Sequence, residues 1–248
     1  MFYNTFSNPW MIVIIAILII DNLKYYLTTP GAFLALILSI PAILIAITFH
    51  EFAHAYVAVK NGDLTPKLAG RLTLNPLAHF DAVGLVCFVV AGFGWAKPVP
   101  INPDNFTRRK RGCFTVSIAG VSANYILAFV AYPLYCLSLY IPQFGYFTFA
   151  LQLTLRYIFI FCLTFFVFNL IPVYPLDGFM AIDAVVERKN GLYYFLRYYG
   201  RYVLYVLFLL SVIADLANVP QIDVLGIAIN FIAYYIGIPI TAFWGLLF

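Results

Sequence analysis

Residues 31–60 read GAFLALILSIPAILIAITFHEFAHAYVAVK. From Gly31 to Val59 the only charged side chain is Glu51, flanked by His50 and His54. A membrane-spanning helix needs about 20 predominantly apolar residues, because each adds about 1.5 Å across about 30 Å of hydrocarbon. This run is long enough to cross with room to tilt. It is therefore read as a transmembrane helix, with Pro41 as a candidate kink.

The rest of the chain agrees. Of 248 residues, 64% are apolar and only 10% are charged, against about 45–50% and about 25% in soluble domains. The mean hydropathy is +0.95. Such a chain cannot cover itself with a polar surface, which excludes a soluble enzyme, a disordered tail and a nucleic-acid module. Working outward from Gly31–Val59, further spans are expected at Pro9–Leu27, about Cys113–Tyr140, Phe147–Phe168, Tyr202–Leu216 and Val224–Leu247. The first is not expected to be a signal peptide, since no Lys or Arg precedes it and no small-residue cleavage site follows it. Cys87, Cys113, Cys136 and Cys162 all lie in apolar surroundings, in spacings that suit neither a zinc ribbon nor a disulfide framework.

One apolar stretch, Ala82–Trp95, is too short to span and carries several glycines. It reads as a re-entrant, membrane-dipping segment, tolerated at that depth only inside protein or beside a water-filled cavity. With the N-terminus cytoplasmic, this reading places Lys60, Lys67, Arg71, Lys97, Arg108–Arg111, Arg188, Lys189, Arg197 and Arg201 on the cytoplasmic side. Only Lys24 and Arg156 of the 14 basic residues remain elsewhere, as the positive-inside rule requires. The Arg108–Arg111 run then sits near anionic lipid headgroups. The expected fold is an all-α polytopic membrane protein with about six transmembrane helices and the dipping segment near 82–95. It divides into an extra N-terminal segment (1–30), a core (31–181) and a C-terminal basic loop with two helices (182–248).

The chemistry lies in His50-Glu51-Phe52-Ala53-His54, an H-E-x-x-H pattern. Helical residues four apart share a face, so both imidazoles can hold one metal ion, with Glu51 beside them to move a proton. A catalytic zinc takes three protein ligands and keeps one position open. Ionisable groups within a membrane span are costly and mark function by default. Asp177 is the best third ligand. It follows Asn169-Leu170-Ile171-Pro172-Val173-Tyr174-Pro175-Leu176, where two prolines interrupt helical hydrogen bonding and leave an irregular segment able to aim a carboxylate. Asp183 and Glu187, further on, read as solvated, and Asp81 as interfacial. Arg156 is expected to snorkel outward.

These residues make the chain resemble the site-2 proteases, membrane-embedded zinc metalloproteases. His50, Glu51 and His54 match that family's first motif. Asn169, Pro172, Asp177 and Gly178 match its second, N-x-x-P-x-x-x-x-D-G, and Gly120 with Asn124 match a G-x-x-x-[N/S/G] element. Segments 70–78 and 92–102 resemble the compact prokaryotic branch, so no PDZ or CBS domain is expected. The similarity covers about residues 31–181. It implies one Zn2+ per chain held by His50, His54 and Asp177, with Glu51 as general base and acid. It gives Asn169 a role in holding the substrate or the developing oxyanion. His79 and Asn124 are candidates for an occluding or substrate-steadying role, although His79 reads better as an interfacial histidine bonded to backbone. The resemblance further implies hydrolysis of a peptide bond in or near a transmembrane segment of a protein substrate, with lipid as the other partner. A site nearer the cytoplasmic side is expected because His50 lies only about 15 Å of helix before Lys60. The competing readings are an ion transporter or channel using the His-Glu-His-Asp cluster, and a catalytically inactive relative.

Overall fold

The computed structural model describes residue 20 and residues 22–81, 84–85, 96–142 and 145–248. Most of the expected first span, Pro9–Leu27, lies outside these residues, as do Cys87 and nearly all of the expected dipping segment. Residues 22–28 are helical. Five helices are long and apolar enough to cross a membrane: α1 (Ala32–Lys60), α2 (Arg109–Ser138), α3 (Tyr146–Leu170), α5 (Gly191–Ala217) and α6 (Val224–Trp244). Between α3 and α5 lies the short α4 (Asp177–Val185). The described chain is all-α but for one isolated antiparallel bridge between Phe80 and Ala96. The protein is a multi-pass membrane protein.

Helices α1, α2, α3 and α6 meet in one core of Ala42, Ala46, Ala128, Ala131, Ile158, Cys162, Leu163, Val167, Ala233 and Ile240. Its small residues have a physical reason. Lipid is as apolar as leucine, so helices in a membrane associate through close backbone approach and interhelical hydrogen bonds. Ala42 and Ala46 on α1 and Ala128 on α2 are fully buried. Trp244 on α6 donates its indole N–H to the Phe129 carbonyl of α2 at 2.9 Å. Large apolar side chains point outward instead, among them Ile126, Phe231 and Tyr234, as lipid-facing surfaces demand.

Sequence and structure differ most at α5. Hydropathy placed its start at Tyr202, with Arg197 and Arg201 in a loop, yet the helix begins at Gly191. The Asn190 side chain caps it by accepting from the Tyr193 N–H at 2.9 Å, satisfying an amide that the first turn leaves unpaired. Its first turns are too polar and tyrosine-rich to look transmembrane. At the far end, Asp223 accepts from Ser211 of α5 and from the Gly226 N–H of α6, fixing the α5–α6 corner.

Candidate metal centre

The C-terminal half of α1 presents His50 and His54 one helical turn apart, towards α2. Helix α2 can receive them because residue 120 is glycine. A Cβ there would lie 2.4 Å from His54 Nε2 and 2.7 Å from His50 Nε2. Asp177 reaches the same point from the first residue of α4. The chain turns there through the Pro-rich 171–176 segment, and the new helix starts against the end of α3. A Cβ on Gly178 would stand 2.3 Å from the Leu170 carbonyl oxygen, so a side chain at that position would force the start of α4 away.

The three side chains converge. His50 Nε2 and His54 Nε2 are 3.0 Å apart, and Asp177 Oδ2 lies 3.3 and 3.2 Å from them. They form the one group of three or more potential metal ligands found among the described residues. Asp177 Oδ2 is buried and accepts no hydrogen bond. Three electron-pair donors so close, two imidazole and one carboxylate, can share one cation. Separations of about 3.4 Å are what tetrahedral ligands about 2.1 Å from a zinc ion would show. The residues fit zinc.

Each imidazole is oriented from behind. His54 Nδ1 donates to the Val116 carbonyl at 2.7 Å, which leaves Nε2 as the electron-pair donor. His50 Nδ1 lies 3.3 Å from the Asn124 side-chain amide, whose Oδ1 is buried and otherwise unpaired. With that amide turned so that Oδ1 accepts from Nδ1–H, His50 Nδ1 is satisfied and Nε2 is freed in the same way. Such partners fix the tautomer and ring angle of metal-bound histidines. Asn124 sits against His50 Nδ1, the ring nitrogen that does not meet Asp177.

Glu51 lines the same cavity of about 960 Å3. Its Oε2 accepts from the Val99 N–H at 3.1 Å. Asn169 lines it too, while its Nδ2 donates to the Phe165 carbonyl at 3.0 Å. His79 does not join the cluster. It is fully buried beneath the 71–75 turn, with Nε2 bonded to the Thr73 carbonyl at 2.8 Å. The Asn75-capped helical turn Pro76–His79 holds it there, so a role as occluding ligand has no support in this geometry.

Asp183, which sequence alone reads as solvated, is a clamp. It accepts from the Tyr193 hydroxyl, from Lys189 and from Arg197, tying α4 to α5. Burial would raise its pKa, but these donors outweigh burial and hold it below the ordinary carboxylate range. Nothing in the local sequence marks it, since its partners lie 6 to 14 residues away. At the cavity mouth, Lys110 and Glu187 pair at 2.9 Å beside Arg109 and Lys189.

A protein named "Putative zinc metalloprotease YwhC" from Bacillus subtilis is 39% identical to this chain over 178 residues, covering 67% of the chain and 74% of that protein. Another, "Putative zinc metalloprotease Rip2" from Mycolicibacterium smegmatis, is 31% identical over 153 residues, or 59% of this chain and 56% of its own length. No protein-family profile and no solved structure matches the chain. Identity of this depth over three quarters of the YwhC protein, together with two zinc motifs that meet at one point in a membrane fold, shows that the chain belongs to the site-2 protease family.

Proposed function

We propose that this protein is an intramembrane zinc metalloprotease that hydrolyses a peptide bond within or near a transmembrane segment of a membrane-protein substrate. The observation that carries the reading is the convergence of His50, His54 and Asp177 beside Glu51 in one cavity among membrane-spanning helices. The names of its relatives support zinc as the metal and proteolysis as the reaction.

His50 Nε2, His54 Nε2 and an oxygen of Asp177 would hold the ion. When bound, zinc supplies Lewis acidity, which polarises a carbonyl and acidifies water. The chain supplies the rest. Val116 and Asn124 orient the imidazoles. Glu51, with Oε2 held by the Val99 N–H, accepts a proton from water and returns it to the departing amine. Asn169, which lines the cavity, would receive the substrate or its developing oxyanion. The substrate helix must unwind locally, because its peptide carbonyls are otherwise engaged four residues along. Water arrives through the mouth lined by Arg109, Lys110 and Lys189. The positive-inside rule makes that the cytoplasmic face.

The test is cleavage of a transmembrane protein panel by the purified chain in lipid vesicles, with zinc counted per chain. About one zinc is expected in the parent, strongly reduced in His54→Ala and Asp177→Ala. Glu51→Gln should retain zinc and lose cleavage by at least about a hundredfold. Cleavage by Glu51→Gln at the parent rate, or metal flux through the vesicles without cleavage, would overturn the reading.

A further inference from the structure

Val99, the residue that bonds Glu51, sits between Pro98 and Pro100. Proline has no N–H, so the Val99 amide is the single backbone donor of that tripeptide, and it is aimed at the carboxylate. The tripeptide belongs to an extended segment whose two ends are fastened by buried charges. At one end Arg71, 5% exposed, donates from one guanidinium nitrogen to the Ala78 carbonyl and to the Lys97 carbonyl at 3.2 Å. From the other it donates to the Pro98 carbonyl at 3.3 Å. The Lys97 N–H returns a bond to the His79 carbonyl at 3.0 Å, next to the Phe80–Ala96 bridge. At the other end Asp63, fully buried, accepts from the Asn102 N–H at 2.7 Å and from the Asn105 side chain at 2.8 Å. Neither charge has an ionic partner within 4.0 Å among the described residues.

A buried guanidinium without a counter-ion is costly unless its N–H groups are matched by acceptors. Here two of its three acceptors are the carbonyls immediately before Val99, and the third is that of Ala78. A guanidinium is a rigid planar fork that can fix two carbonyls relative to each other, which a lysine ammonium cannot do. Asp63 anchors Asn102, three residues beyond Val99. The amide on Glu51 is thus suspended between two fixed points, and Arg71 sets the nearer one.

We propose that Arg71 is a positioning residue for Glu51. By fixing the Lys97 and Pro98 carbonyls it fixes the Val99 amide, and through that amide the orientation of the carboxylate. The proposal rests on the reading of Glu51 as the proton carrier. It gives a reason for a buried cation that lies outside both zinc motifs.

The experiment is a double-mutant cycle on the zinc-loaded, full-length protein cleaving one transmembrane substrate in vesicles. The variants are Arg71→Ala, Arg71→Lys, Val99→Pro and Arg71→Ala with Val99→Pro. Val99→Pro deletes the donor at a position that Pro100 already biases towards extended backbone. Misplacement of a catalytic group by about 1 Å costs on the order of a hundredfold. Arg71→Ala and Val99→Pro should each lower kcat by about 10- to 100-fold, with KM within about twofold and zinc per chain unchanged. The double variant should be no slower than the slower single variant, since both remove one coupled interaction. Arg71→Lys should recover less than a tenth of the loss, and it replaces Arg71→Ala in the cycle if the alanine variant does not accumulate. Losses that multiply in the double variant would overturn the proposal, as would a rise in KM at constant kcat or zinc lost in step with activity. A Glu51→Gln protein as active as the parent would instead refute the underlying reading, so the two failures are separable.

Discussion

Gly120 shows how one missing side chain makes room for a metal centre. The 2.4 Å and 2.7 Å approaches of a Cβ to the two Nε2 atoms are far inside contact distance, and both atoms are the ones that would bind the ion. Alanine is a better helix former than glycine by about 1 kcal/mol, which offsets part of the cost, about 1–3 kcal/mol, of overpacking a filled site, so Gly120→Ala should keep its helices while losing zinc. Zinc per chain below about a tenth of the parent value, with helix content preserved by circular dichroism, is the expected outcome. Asn124 acts one step further back. Removing its carbonyl as Asn124→Ala leaves His50 Nδ1 without its partner, and losses of a supporting group of this kind cost about 10- to 100-fold in metal affinity. A chelator competition that returns the parent affinity would contradict the amide orientation assigned above.

How much of this was legible at the residue level follows from where each partner lies. His50, Glu51 and His54 are readable because their geometry is internal to one helix. Asp177 needed the apolar context and the prolines before it. Gly120 and Asn124 are four apart and so share a face, but nothing in their own stretch says that the face meets α1. Arg71, Asp63 and Asp183 were illegible, because, apart from the local Thr65 bond to Asp63, their partners are backbone groups or side chains brought close by tertiary folding.

Among the elements, the connection from α1 to α2 behaves as a scaffold, and its pH response can be worked out from Asp63. Burial would raise the Asp63 pKa. Bonds from Thr65, Asn105 and Asn102 outweigh burial and lower it. A carboxyl depressed by folding stabilises the fold above its unfolded pKa of about 3.9 and ceases to do so as pH falls through the lower, folded value. The Asn102 amide, bonded to Asp63 Oδ2, should therefore be protected from hydrogen exchange above about pH 4 and lose protection below it. In Asp63→Asn the protection should be weaker throughout, without that acid-side decline. An unchanged pH profile in the variant would show that another group governs the loop. Helix α5 makes the complementary point about legibility. Its hydropathy was readable from Tyr202 onward, but its first turns are built by the Asn190 cap and by Arg197 bonded to Asp183, features that hydropathy does not sense.

For the whole molecule, the sidedness of the cavity is the property from which access to the site follows. Two cysteines report on it from opposite situations. Cys113 is half-buried on the first turns of α2 and lines the cavity near its mouth, whereas Cys162 is fully buried in the core shared by α1, α2, α3 and α6. A permanently charged thiol reagent cannot cross the bilayer, so in sealed vesicles it reaches Cys113 only from the face bearing Arg109, Lys110 and Lys189. With Cys87 and Cys136 replaced by serine, one thiol should label from that face and none from the other. The cleavage rate should fall with labelling, because the adduct occupies the route to Glu51. If α1 runs with its Lys60 end in the cytoplasm, inverted membrane vesicles should label and right-side-out ones should not. Labelling of Cys113 solely from the opposite face would invert the topology. Labelling of Cys162 at the rate of Cys113 would mean that the helices do not pack as described, since a charged reagent has no path to a site enclosed by Ala42, Ala46, Ala128 and Leu163.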